Sequence, residues 1–180
     1  MNSFGDDLIA AMSEAAAHAQ GAGQVARALI ERLRPFRLEI LVVDPFLSEA
    51  DAAALGVRLV SMEQAFHEAY VVSNHLPNLP ELVGALGGSL FASMQPGAVF
   101  INTGRGAQVV EPEFAAVMAE RTDLTALLDV THPEPPAPDS PLYRLPNVHL
   151  SSHIAGSLNN EVGRLADYAI EAFCEWREGR

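Results

Sequence analysis

The chain has a single cysteine, Cys174, among its 180 residues, so no intrachain disulfide can form. It is also poor in cations, with 11 Lys and Arg against 23 Asp and Glu and a formal net charge of -12. Binding a nucleic-acid backbone requires clustered Lys and Arg, so a nucleic-acid surface is excluded, and an anionic membrane surface is excluded on the same ground. No apolar run approaches the ~20 residues needed to span a bilayer. The first 20 residues carry Asp6, Asp7 and Glu14 where a secretory signal needs basic residues and an apolar stretch. A reducing cytoplasm is therefore the expected location, and no metal site is expected.

At 49% hydrophobic and 19% charged, the chain has the composition to bury one ordinary core. Short β-branched runs alternate with helical patterns, which predicts an α/β fold with a parallel sheet and crossover helices on its faces. A helix is predicted from about Gln24 to Arg34, with a mostly apolar stripe of Val25, Ala28, Leu29, Arg32 and Leu33, ending at Pro35. Further helices are predicted over Ser48 to Leu55, Ser61 to Glu68, Glu111 to Glu120 and about Ser157 to Glu178. Strands are predicted over Leu38 to Val43, Val57 to Val60, Tyr70 to Asn74, Ala98 to Asn102, Leu124 to Asp129 and Val148 to Ser151. Pro133, Pro135, Pro136, Pro138 and Pro141 mark a stiff loop between the last two strands.

Gly21-Ala22-Gly23-Gln24-Val25-Ala26 matches the G-x-G-x-x-G/A dinucleotide fingerprint and runs into the first predicted helix. The glycines allow a tight turn and close approach of a pyrophosphate, and the helix N-terminus carries partial positive charge. Asp44 follows the next strand, 21 residues beyond Gly23, where an acidic group binds ribose hydroxyls and repels a 2′-phosphate; the expected cofactor is NAD. The alternative is that the glycines end an N-terminal helix and Asp44 only caps a turn before Pro45. The segment ahead of the fingerprint reads poorly as a strand, because Asp6 to Gln20 is alanine-rich and suited to a helix. The first strand, central in a doubly wound sheet, is thus expected to be atypical or missing: formed by this poor segment, filled by another chain, or absent from a rearranged sheet.

Three later motifs place an arginine, carboxylates and an imidazole after three successive strands: Ile101-Asn102-Thr103-Gly104-Arg105-Gly106, then Asp129 and Glu134-Pro135, then Ser152-His153-Ile154-Ala155-Gly156. Together with Val42-Val43-Asp44-Pro45-Phe46, Ser73-Asn74-His75-Leu76-Pro77, Met94-Gln95-Pro96-Gly97-Ala98 and Leu145-Pro146-Asn147-Val148, they resemble the nucleotide-binding domain of the D-isomer-specific 2-hydroxyacid dehydrogenases. The resemblance runs from about Gly21 to the C-terminus. It implies a Rossmann-like NAD-binding domain over 21–180 with a C-terminal helix, and the alanine-rich composition ahead of it gives a helical segment over 1–20. It also implies that Arg105 holds the carboxylate and carbonyl of a small 2-keto acid, and that His153, paired with Glu134, exchanges a proton with the substrate oxygen. Gly21, Gly23, Gln24, Val25 and Asp44 would bind the cofactor; His75 and Pro77 would line it, with Thr103 and Asp129 beside the nicotinamide. The chemistry is consistent: reducing a 2-keto acid needs hydride at C2, a proton for the oxygen and a planar cation for the carboxylate.

Ser152 stands where the family usually has Pro, and Thr131 and His132 where acidic and aromatic residues are common. The family's separate substrate domain is not recognisable in the residues before Gly21. Two expectations follow. The chain is an NAD-dependent 2-hydroxyacid dehydrogenase, a homodimer or one whose second cleft wall is supplied by another subunit or by a domain lost from it; or it is a truncated, catalytically inactive NAD-binding or protein-interaction module. Either way, the apolar face left by the absent domain is expected to drive self-association. A methyltransferase would account for the glycine loop and Asp44 but leaves Arg105, Glu134 and His153 without a role.

Overall fold

Valine, isoleucine and leucine runs too short for helices become the strands of one parallel sheet in the computed structural model, which describes residues 10–13 and 22–156 together with 170 and 174. The strands are β1 (Ala10–Ser13), β2 (Leu41–Val43), β3 (Arg58–Leu59), β4 (Val71–Asn74), β5 (Val99–Asn102), β6 (Thr125–Leu128) and β7 (Val148–Leu150). Their order is β3-β2-β1-β4-β5-β6-β7, so the winding direction reverses at the β1/β4 boundary. Ligands of such sheets bind outside the carboxyl ends of the strands at that reversal. Five helices connect them: α1 (Ala22–Leu33), α2 (Glu49–Leu55), α3 (Met62–Glu68), α4 (Gly88–Ser93) and α5 (Glu111–Glu120).

The first strand is atypical but present. Ala10–Ser13 pairs in parallel with β2 on one side (Met12 with Val42) and β4 on the other (Ala10 with Val71). This corrects the expectation of a helix through these four residues. Ladder bonds to two neighbours outweigh the weak intrinsic preference of alanine for helix. The remainder of the expected N-terminal helix lies outside the described residues, as does most of the expected final helix, in which residues 170 and 174 are helical.

The predicted strands all form, shortened by one to three residues. Helix α5 keeps its predicted bounds, and α2 and α3 begin after their predicted caps, Ser48 and Ser61. Each serine Oγ accepts a hydrogen bond from the backbone N–H three residues on, and Gln64 completes a capping box at α3. The stripe predicted for α1 is rotated: its buried positions are Ala26 and Ile30, with Leu29 and Leu33 packed beside them, while Val25 is 58% exposed. Val25 therefore faces away from the sheet, toward the end where a ligand would sit.

Two clusters fill the sheet's faces. Ile40 and Val42 pack with α1, whereas Leu41, turned the opposite way, joins a larger cluster under α3, α4 and α5. Phe66, Phe91 and Phe114 come one from each of these helices and meet Phe100 of β5 with ring centroids 4.8–6.2 Å apart. No helix of the described residues is long and apolar enough to cross a membrane.

Candidate active site at the carboxyl ends of the strands

Strands β4 to β7 run in parallel register, so the residues that follow them emerge on one edge of the sheet. Arg105 follows β5, Asp129 and Glu134 follow β6, and His153 follows β7. The arrangement of loops after successive strands is as the motifs predict.

His153 Nδ1 lies 2.7 Å from Glu134 Oε1, and both side chains are exposed. A carboxylate on Nδ1 leaves Nε2 as the ring nitrogen free to give or take a proton elsewhere. The backbone of His153 is left-handed, with φ of 56°, a conformation that side-chain-bearing residues adopt only where surroundings enforce it. Asp129 enforces it. Its carbonyl accepts from His153 N at 3.0 Å, and its carboxylate accepts from Ile154 N, Ala155 N and Ser151 Oγ at 2.8, 2.9 and 2.5 Å. Burial opposes the charge on Asp129, but these donors and the neighbouring His153 hold its carboxyl below the usual carboxylate range. Asp129 thus grips the turn that carries the imidazole, a role its position alone did not reveal. A cavity of about 450 Å³, lined by Asp129, Glu134, Tyr143 and Leu150 among others, opens behind this pair.

Arg105 sits on a loop with two close approaches. A Cβ at Gly106 would overlap the backbone of Thr131, and one at Gly104 would lie 3.1 Å from Asn74 Nδ2. At Gly106 only glycine allows the loop to lie this deep, and at Gly104 a side chain would press on Asn74, with the arginine between them. The exposed guanidinium donates from Nη1 to Gly104 O at 2.8 Å.

Val25, His75, Leu76, Pro77, Asn78, Thr103, Gly104 and Arg105 line a cavity of about 300 Å³. Four residues assigned to the cofactor by resemblance, Val25, His75, Pro77 and Thr103, are thereby brought together with Arg105. Burial holds the His75 imidazole below its ordinary pKa and so favours the neutral ring, whose Nε2 lies 2.8 Å from Ser73 Oγ. Asp44 directly follows β2, and its Oδ1 accepts from Phe46 N at 2.8 Å. It does cap a turn, using one carboxylate oxygen. Gly21 lies outside the described residues; Gly23 and Gln24 fall in the first turn of α1, and their side chains lie outside the description. A helix that starts beside the sheet's reversal point, an exposed valine on its first turn and a cavity shared with the 75–78 loop fit a dinucleotide.

Asn74, Asn102 and Gln108, to which no motif assigns a role, are buried together beneath these loops. The available signal was an asparagine ending each of two adjacent, mainly apolar strands.

Comparison with known proteins agrees with this geometry. The family model described as "D-isomer specific 2-hydroxyacid dehydrogenase, NAD binding domain" matches residues 7–155. A D-3-phosphoglycerate dehydrogenase of Archaeoglobus fulgidus is 34% identical over 137 residues, which are 76% of this chain and 26% of that protein. A glyoxylate reductase of Korarchaeum cryptofilum is 31% identical over 159 residues, 88% of this chain and 48% of the relative. The crystal structure of the TT0316 protein from Thermus thermophilus superposes with a TM-score of 0.75 at 30% identity, covering 98% of this chain and 52% of the other. The chain thus spans between about a quarter and a half of the length of these proteins. With its doubly wound sheet and its match from residue 7 to residue 155, the chain belongs to the D-isomer-specific 2-hydroxyacid dehydrogenases through their NAD-binding domain.

Proposed function

We propose that this chain is the NAD-binding and proton-transfer half of an oxidoreductase acting on a small 2-hydroxy or 2-keto acid. The observation that carries the reading is the His153–Glu134 pair, held at 2.7 Å on a left-handed turn at the same sheet edge as Arg105. NAD, when bound, takes or supplies the hydride at C2 of the substrate. Arg105 offers a planar fork to the substrate carboxylate and carbonyl, and its charge stabilises negative charge on the carbonyl oxygen. Glu134 fixes the imidazole tautomer through Nδ1, so Nε2 of His153 passes the proton to that oxygen or removes it. Asp129 acts by holding the His153 turn as well as by lying near the nicotinamide. Gly21, Gly23, Gln24 and Val25 bind the pyrophosphate at the start of α1, Asp44 binds the ribose hydroxyls, and His75, Pro77 and Thr103 line the cofactor.

Pairing with a second copy or with a partner is proposed, and Phe36, Phe46, Val83 and Tyr143, all exposed, provide apolar surface for such an assembly. A monomer in light scattering at micromolar concentration would contradict self-association. The cytoplasm is the proposed location, because a lone cysteine needs no oxidising compartment.

An inactive binding module is the second reading, favoured by the exposure of Arg105, Glu134 and His153 to solvent. Calorimetric titration with NADH, repeated with Gly23→Trp, tests cofactor binding. Binding that is lost in the variant supports the assignment, and no binding by the unsubstituted chain sinks it. Turnover of 2-keto acids that disappears in His153→Gln, with NADH affinity retained, would then separate enzyme from module.

A further inference from the structure

Asn74, Asn102 and Gln108 are 5%, 1% and 2% exposed, yet none carries a charge that would explain its burial through an ion pair. Their amides bond chiefly to one another and to two loops. Asn74 Nδ2 donates to Asn102 Oδ1 at 3.0 Å and to Gln108 Oε1 at 2.8 Å. On one side, Leu76 N donates to Asn74 Oδ1, and Gln108 Nε2 donates to the carbonyls of Leu76 and Pro77 at 3.2 and 2.7 Å. On the other, Gly104 N donates to Asn102 Oδ1 at 3.1 Å, and Asn102 Nδ2 donates to Arg105 O at 3.3 Å. Gly104 is itself seated against Asn74, where a side chain would crowd Nδ2.

We propose that these three amides are positioning residues: they join the 75–78 loop and the 103–106 loop into one rigid unit, so that the wall facing the cofactor and the backbone presenting Arg105 keep a fixed relation. The inference rests on the reading of this cleft as a nucleotide and substrate site. Its physical basis is the cost of a buried amide without partners, which leaves the network few alternative arrangements. An apolar trio of equal volume would support the sheet equally well but would leave both loops free to shift independently. Asn74 and Asn102 are adjacent across the β4/β5 ladder, and Gln108 reaches back from the turn after Arg105, so the unit closes a ring across both loops.

The test uses the full chain with Gln108→Met, which keeps the side chain's length and removes its hydrogen bonds. Asn147→Leu serves as the control, because Asn147 is also a buried amide and binds the carbonyls of Met118, Arg121 and Leu124, away from both loops. Two quantities are read: NADH affinity by calorimetry, and amide hydrogen exchange at Leu76 and Gly104. The expected result for Gln108→Met is affinity weakened on the order of tenfold, the scale of a lost buried hydrogen bond, with exchange accelerated at both amides. Asn147→Leu should lower the Tm while leaving affinity and both amides as in the parent. The proposal is overturned if Gln108→Met binds NADH like the parent, or if exchange rises at Leu76 while Gly104 is unchanged. If the parent itself binds no NADH, the cofactor reading fails, and the paired exchange result still decides whether the loops are coupled. Should Gln108→Met not fold, Asn74→Asp keeps the acceptor for Leu76 N, removes both amide donations and is judged by the same readings.

Discussion

Among the described residues, the two halves of the sheet, β1 to β3 and β4 to β7, are packed differently. The half carrying the dinucleotide fingerprint, among the described residues, packs Ala26, Ile30, Ile40 and Val42 under α1 and turns Leu41 into the cluster on the other face, and its innermost strand is the β-branch-free Ala10–Ser13. The half carrying Arg105, Glu134 and His153 rests on the larger cluster, with four interlocked phenylalanines. The contrast teaches where rigidity is needed: the loops aligning an arginine, a carboxylate and an imidazole require fixed anchors. A pyrophosphate needs only a helix start and open backbone.

Core truncations on either side give the largest test of this contrast. Phe100→Ala should cost about 3–5 kcal/mol, since it opens a cavity between three other rings, and denaturant unfolding would measure it. Ile30→Ala should cost about 2 kcal/mol, the low end for such truncations, because a helix over a small cluster can settle inward. Equal costs would break the comparison. Hydrogen exchange sharpens it at intermediate scale: amides of β2 should exchange through smaller openings than those of β5, and the reverse order would contradict the packing argument.

The smallest effect concerns acid. The folded chain favours neutral His75, with its pKa held below the reference value of 6.5 by burial, so the unfolded chain binds the proton more readily. Stability from this group is therefore fully present above about pH 6.5 and is lost as pH falls through the lower folded value. Asp129, also lowered, adds loss of the same sign at still lower pH. Tm measured from pH 7.5 to 5 should fall less steeply in His75→Gln than in the parent, and parallel curves would refute the assignment.

Much of this was legible in the chain. Glu111–Glu120 announces itself with acidic residues and proline in its first turn, and Ser48 and Ser61 are read as caps because their oxygens replace missing helical partners. Helix α4, opening on Gly88 and only six residues long, gave no periodic signal. The α1 stripe was set one position off, since Val25 and Ala26 are both apolar and only the sheet's position tells which is covered. Among site residues, Arg105, Glu134 and His153 were found as motifs, and the pairing of the last two is a contact across 19 positions. The grip of Asp129 on residues 151–155 and the amide ring of Asn74, Asn102 and Gln108 were not read, because hydrogen bonds between loops leave no period in sequence.

By itself, then, the sequence determined what is local or periodic: the α/β alternation, the caps, the glycines flanking Arg105 and the family of motifs. Tertiary structure alone decided what depends on distant partners. Ala10–Ser13 became a strand because two neighbours offered ladder bonds that no local preference supplies. His153 took a left-handed backbone because Asp129, 24 positions earlier, holds the amides around it.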